Sequence, residues 1–401
     1  MKFNKLGQLF VVSILGLAIA SLLTSCALVT VDYVFVATAS NNGQIQTYDA
    51  DSETGALRTG AATVASGGTN PVAMAVSADY TNLYVVNKGS NNVVHFTISG
   101  NGVLSQKDVV TTSATPVSVA VNTAGTYLYV VSGPNPAVLT EYPLSAGAIG
   151  SPVATEPLTL YGKYSTYATD VIVPSGVNVL ANNNAVFVST YDQSAYNPGG
   201  TTTSDANPGW VFGYAVGTGG ALTPGANPYE AGVKPSALTS DPTNRFVYVT
   251  DFASNEVIGY TIQGGSTLDF LINGPFKTGN EPVSVAIDPR GKYMYIANEL
   301  DSSVSAFVID LTTGTPSAAV NVTGTQINST DTTPISVIVD PALGRFVYTA
   351  NTEGDSISGF HLNPTTGALS ATQSNPYPTG NKPSALAAVP HGNHSTQTVS
   401  P

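Results

Sequence analysis

The stretch Glu281-Pro282-Val283-Ser284-Val285-Ala286-Ile287-Asp288-Pro289, followed after a turn by Tyr293-Met294-Tyr295-Ile296-Ala297-Asn298, is one copy of a pattern that spans the chain. It returns from Pro71 with Tyr84-Val85-Val86-Asn87, and from Pro116 with Tyr129-Val130-Val131-Ser132. It returns again from Pro235 with Tyr248-Val249-Thr250-Asp251, and from Pro334 with Tyr348-Thr349-Ala350-Asn351. A degenerate copy lies at Ala168 to Thr190. The seventh is split, with Lys382 to Pro390 supplying its first half and Tyr33 to Thr38 its second. Repeats of this length built from short strands predict an all-β, seven-bladed β-propeller with four-stranded blades.

Each repeat reads as four strands. The run after the proline, such as Val117 to Val121, is continuously apolar and suits a strand buried on both faces. The turn after it often opens with Asp-Pro, as at Asp241-Pro242, Asp288-Pro289 and Asp340-Pro341. There Asp accepts backbone N–H bonds and Pro presets φ. The third strand carries an aromatic at a matched place in every repeat: Tyr48, Phe96, Tyr142, Tyr214, Tyr260, Phe307 and Phe360. The fourth tends to start at Gly-x-Leu, as at Gly102-Val103-Leu104. The split repeat predicts that Ser384 to Val389 pairs beside Val34 to Ala37, closing the ring and hiding two sheet edges.

Residues 1–26 read as a targeting segment. Lys2 and Lys5 form a positive start, and Leu6 to Leu23 is a long apolar run. Its end, Leu23-Thr24-Ser25-Cys26, resembles a bacterial lipobox, which implies lipidation of Cys26 and anchoring to a membrane of the cell envelope. Ala27 in place of aspartate favours, by the same resemblance, the outer membrane in a cell that has one. Cys26 is the sole cysteine, so no intramolecular disulfide forms. The expected organisation is a signal peptide at 1–26, a tether at 27–32, one propeller at 33–390 and a flexible polar tail at 391–401.

Only 9% of residues are charged and the net charge is −12, which excludes the basic face that nucleic-acid binding needs. No Gly-rich phosphate loop opens a helix, and no His/Cys cluster has metal-ligand spacing. Acidic loops, Asp251 with Glu256 or Glu299 with Asp301, supply oxygen ligands of the kind Ca²⁺ takes, but no spacing singles them out. The sequence therefore suggests no metal or cofactor, and a monomer.

The Tyr-Val-x-Asn motifs resemble the YVTN propeller repeat. Asp51-Ser52-Glu53-Thr54-Gly55-Ala56-Leu57 and Asn363-Pro364-Thr365-Thr366-Gly367-Ala368-Leu369 resemble the inter-strand turn of the seven-bladed lactonase family, which includes 6-phosphogluconolactonase-type and muconate-cycloisomerase-type enzymes. The resemblance covers Tyr33 to Pro390. Its motifs specify blades, and blades host many activities.

A site must be sought on the face that gathers the loops entering the first strand and those joining the second and third. Lys234, Glu281 and Lys382 precede motif prolines and should ring the channel mouth, with Lys88, Asp251 and Glu299 in the loops beside them. Two long loops of the fourth repeat reach the same face. Leu160 to Asp170 carries Tyr161, Tyr164 and Tyr167; Tyr191 to Pro208 carries Tyr191 and Tyr196. Such tyrosines either stack on a sugar or grip a partner, or else cap the blade edge.

Lactone opening requires a base for water and a donor for the oxyanion. The resemblance implies His, Arg and Glu near the channel. Here His95 and His361 fall in third strands and His391 and His394 in the tail, while Arg245, Arg290 and Arg345 fall in turns of the opposite face. The sequence thus favours a binding module for a small molecule, carbohydrate or protein. The alternative is a lactone hydrolase in which Glu281 or Asp251 replaces the missing histidine.

Overall fold

The computed structural model describes residues 29–194 and 209–392; Cys26 and Tyr196 lie outside them. Seven antiparallel sheets stand in a ring, numbered here as blades 1 to 7 from the split repeat. The first strands are Pro383–Pro390, Pro71–Val76, Pro116–Val121, Ile172–Val179, Pro235–Ser240, Pro282–Ile287 and Pro334–Val339. Each touches the first strand of the blade on either side, so the innermost strands form a closed circle. They line an axial channel of about 210 Å³ to which all seven contribute. Blade 1 closes as expected: Thr30–Thr38 pairs antiparallel with Pro383–Pro390, from Asp32 opposite Pro390 to Thr38 opposite Pro383.

Blades bury both faces, so the core divides by seams. Seven apolar clusters occupy the seven seams, one between each pair of neighbours. The repeated third-strand aromatics belong to these clusters; Phe96 and Tyr260, for example, are 1% and 0% exposed. Second-strand tyrosines lock the seams. Tyr84, Tyr248, Tyr295 and Tyr348 donate their hydroxyls to the carbonyls of Gly147, Gly314, Gly367 and Gly55 in the next blade.

Adjacent first strands share no β-ladder, so serine hydroxyls join them. Ser118, Ser284 and Ser336 accept the backbone N–H of Val177, Val337 and Leu386 in the following blade. Ser236 and Ser384 donate to the carbonyls of Pro282 and Pro71. The channel wall is therefore apolar side chains and serines, with no ionisable group among its lining residues. The Asp-Pro turns behave as read: Asp241 and Asp288 each accept two backbone N–H bonds at 2.7–2.8 Å from the residues opening the second strand.

Three boundaries differ from the sequence reading. The outermost position of every blade but the second is filled by two short strands, such as Leu57–Thr59 and Val64–Ala65, which keeps exposed edges short. The first strand of the chain begins at Thr30, with Val31 and Asp32 wholly buried, so the expected tether at 27–32 is partly blade. His391 is likewise packed: its amide donates to Val31 and its ring meets Tyr33 edge-on at 5.2 Å.

Candidate functional site

The rim of the channel is built by one repeated hydrogen bond. The residue before each motif proline accepts, on its carbonyl, the amide of the residue that follows the second strand. The pairs are Asn70 with Lys88, Thr115 with Gly133, Lys234 with Phe252, Glu281 with Glu299, Thr333 with Thr352, and Lys382 with Ala39. Val171 and Gln193 fill the place in blade 4. Lys88, Lys234, Lys382, Glu281 and Glu299 thus occupy equivalent positions around one mouth, as the sequence suggests.

A second bond orients this rim. In four blades a residue in the loop after the second strand takes a left-handed backbone and accepts the amide of the next blade's pre-proline residue. Asn91 serves Thr115, Asn255 serves Glu281, Ser302 serves Thr333 and Asp355 serves Lys382. The receiving residues are left-handed too, Glu281 at φ 56° and Lys382 at φ 52°. Lys234 departs from this. Its amide donates instead to Asp251 of its own blade at 2.9 Å, and its φ is not positive. The preceding blade here is blade 4, whose second and third strands are joined by the longest such connection in the sequence.

Lys234 is half-buried, with its ammonium 3.8 Å from the Phe252 ring centroid and 5.8 Å from that of Tyr191. Burial pulls its pKa down, while the charges of Glu299, Glu281 and Asp251 push it back up. The Glu299 carboxyl is held above its ordinary range, first by burial and then by Glu281, with Lys234 opposing. One cation and two carboxylates therefore act on each other across the seam between blades 5 and 6. The opposite side of the rim is looser: Lys88 is exposed, and exposed Lys382 pairs with Glu353 at 3.2 Å.

Several expectations drawn from the sequence need correction. Asp251 is fully buried and its carboxylate accepts the amides of Val233, Lys234 and Ala253, so it braces the loop and does not face the mouth. The Ca²⁺ pairs are also committed elsewhere: Glu256 pairs with Lys277 at 2.9 Å, and Asp301 accepts both Asn280 nitrogens. Tyr164 is buried, edge-on to Trp210, and donates to Glu230 at 2.7 Å. Tyr161 packs on Phe212. These two tyrosines cap blade 4 and do not form a ligand wall, whereas Tyr167 is exposed. Tyr191 does reach the Lys234 site. Phe252 joins it there, its place directly after the Tyr-Val-x-Asp strand matching that of Lys88 and Glu299.

The family model described as lactonase, 7-bladed beta-propeller matches residues 33–159 and 174–394. The chain belongs to the seven-bladed β-propeller lactonase family. This lactonase-family chain shares its fold with a candidate 6-phosphogluconolactonase from Bacteroides uniformis (TM-score 0.72, 18% identity, covering 90% of this chain and 100% of that one). It also resembles the periplasmic gluconolactonase PpgL of Pseudomonas aeruginosa (TM-score 0.71, 19% identity, 90% and 100% covered) and a protein from Lactobacillus plantarum (TM-score 0.69, 18%, 90% and 99%). No curated protein matches the sequence.

Proposed function

We propose that the protein hydrolyses a small, uncharged cyclic ester at the loop-rich mouth of its channel. The observation that carries this is the half-buried set of Lys234, Glu299 and Glu281 beside the Phe252 and Tyr191 rings. Glu299 takes the proton of an attacking water. Burial and the charge of Glu281 raise its pKa, which makes it a better base than an exposed carboxylate. The Lys234 ammonium stabilises the tetrahedral oxyanion. The ring oxygen then leaves, taking its proton from Glu299, and the lactone opens to a hydroxy acid. Phe252 and Tyr191 offer flat apolar surface for the substrate ring. Lactone hydrolysis is also the activity for which the family is named.

A phosphorylated lactone fits this rim poorly. Glu281, Glu299 and Glu353 offset its lysines, and none of the chain's arginines, Arg58, Arg245, Arg290 and Arg345, belongs to the rim. The test is turnover of glucono-δ-lactone and its 6-phosphate by wild type, Glu299→Gln and Lys234→Met. The expected result is turnover of the neutral lactone that both substitutions abolish. Saturable lactone binding without ring opening would favour the second reading, a binding module that uses the same aromatic pair.

We also propose that a lipid on Cys26 anchors the propeller to the envelope, on the strength of the lipobox-like segment before it. Cys26→Ser should lose an incorporated acyl label and leave the membrane fraction. Retention of both would overturn it.

A further inference from the structure

On the face opposite the rim, five of the seven blades carry an aromatic plug. The residue six from the rim end of the second strand is Tyr33, Tyr127, Phe246, Tyr293 and Phe346 in blades 1, 3, 5, 6 and 7. The next blade's turn glycine lies flat on that ring, so close that a Cβ on Gly102, Gly220, Gly314, Gly367 or Gly55 would come within 2.3–2.7 Å of it. A cation covers the ring in three of these blades: Arg245 on Phe246, Arg290 with Lys292 on Tyr293, and Arg345 on Phe346.

Two blades lack the ring: blade 4, with Ala185 in its place, and blade 2, which differs from the plugged blades 5 and 7 at three positions of one seam. Asn82 stands where the aromatic belongs, and Thr81 where Arg245 and Arg345 stand in their blades. The residue before the third-strand aromatic is glycine in blades 4, 5 and 7 and alanine in blade 6, but in blade 2 it is His95. His95 is 2% exposed, stacks on Tyr84 at 5.2 Å, and joins Asn82 Oδ1 through Nε2 at 2.8 Å and Asp108 Oδ2 through Nδ1 at 3.0 Å. The lost ring leaves a cavity of about 480 Å³ between blades 2 and 3, lined by Ser77, Asp79, Asn82, Tyr84, Thr97 and Thr123 and shut on one side by the Ala146-Gly147 turn.

We infer that this cavity binds a neutral, polyhydroxylated molecule of monosaccharide size. Its volume falls in the range of small-molecule sites. Its floor is a built polar group, since Asn82 is only 7% exposed and is held by His95. Polar groups line it: the Ser77, Tyr84 and Thr123 hydroxyls, which donate within the protein and keep lone pairs to accept, the Asn82 amide, held by Thr81 and His95, and the Asp79 carboxylate. That mixture suits vicinal hydroxyls, each of which donates and accepts. No lysine or arginine lines it, which disfavours anions. A single carboxylate already accepting from Ser77 and Thr81 is weak provision for a cation. This site is independent of the rim reaction.

The test is calorimetric titration of the full chain with D-glucose, D-galactose and myo-inositol, beside glucosamine and glucose 6-phosphate. The expected result is saturable binding of at least one neutral probe, weakened at least tenfold by Asn82→Phe, which restores the plug, and by Asp79→Asn, but unchanged by Glu299→Gln. If Asn82→Phe does not fold, Asp79→Asn carries the comparison. No neutral binding, binding of the charged probes alone, or binding lost with Glu299→Gln and kept in the cavity variants would each overturn the inference.

Discussion

The amide of Lys234 donates to the carboxylate of Asp251 within blade 5, whereas Thr115, Glu281, Thr333 and Lys382 donate to a loop of the preceding blade. The lysine of the candidate site is therefore positioned by a carboxylate of its own blade. Asp251→Ala strips the acceptor from three backbone amides in a fully buried place. It should destabilise the protein by about 2–4 kcal/mol, given a cost of roughly 1–3 kcal/mol per unsatisfied buried group. Urea unfolding followed by the fluorescence of Trp210, the only tryptophan and a buried one, measures it.

If Glu299 is the base, kcat/KM rises with pH through its pKa, above the ordinary carboxylate range. The neighbours set the direction of further shifts. Glu281 raises that pKa and Lys234 lowers it. Glu281→Gln should therefore move the acid limb of the profile to lower pH. Lys234→Met, wherever residual activity permits measurement, should move it higher. A limb that stays in place in Glu281→Gln excludes Glu299 as the titrating group.

Glu141 fills in blade 3 the position that His95 fills in blade 2. It is fully buried, with one oxygen facing the Tyr129 hydroxyl at 3.4 Å and the other without a partner, and burial lifts its pKa to about 7. A carboxyl raised on folding binds more protons folded than unfolded. Stability from this group is thus complete below about pH 4.5, declines as pH rises towards 7, and is flat above. Glu141→Gln should match wild type at pH 4 and exceed it at pH 8 by on the order of 1–2 kcal/mol, a value below the full linkage figure to allow for solvent screening. Parallel unfolding curves across that range would show otherwise.

Asp32 and Asp340 form a buried carboxyl pair at the ring closure. Asp340 accepts the amides of Ala342, Leu343 and Arg345, while neither Asp32 oxygen receives a well-formed hydrogen bond. Burial, and then Asp340, raise the Asp32 pKa strongly, so folding favours the protonated form of Asp32, the form that can donate towards Asp340. Asn can donate in its place but cannot replace Asp340 as acceptor. Asp32→Asn should leave stability at pH 7 unchanged or higher, and Asp340→Asn should lower it by about 1–3 kcal/mol. Equal losses in chemical denaturation would argue against this division of roles.

Blade number, strand order and closure were legible because repeats superimpose local signals: seven aromatics and six motif prolines fix a frame that no single strand could. The rim was legible for the same reason, since Lys234, Glu281 and Lys382 share one position. The roles of Asp251, Tyr161 and Tyr164 were not, because polarity alone does not say whether a side chain faces solvent or caps backbone. The repeats held a clue for Asp251: it aligns with Asn87, Asn298 and Asn351, all of which are buried. Asn82 is the converse case. It looks like an ordinary turn residue until set beside the rings at its equivalent positions, and only then does its small size register as missing volume.

Because blade 1 takes its inner strand from Pro383–Pro390 and its neighbour from Thr30–Thr38, biosynthesis imposes an order on assembly. Blades 2 to 7 have all their strands before the last residues are translated, while the strand at Thr30–Thr38 must wait for the end of the chain. A ribosome that stops short of residue 383 releases an open arc with raw edges on both sides. The closed circle is thus reached only by a chain made to its full length.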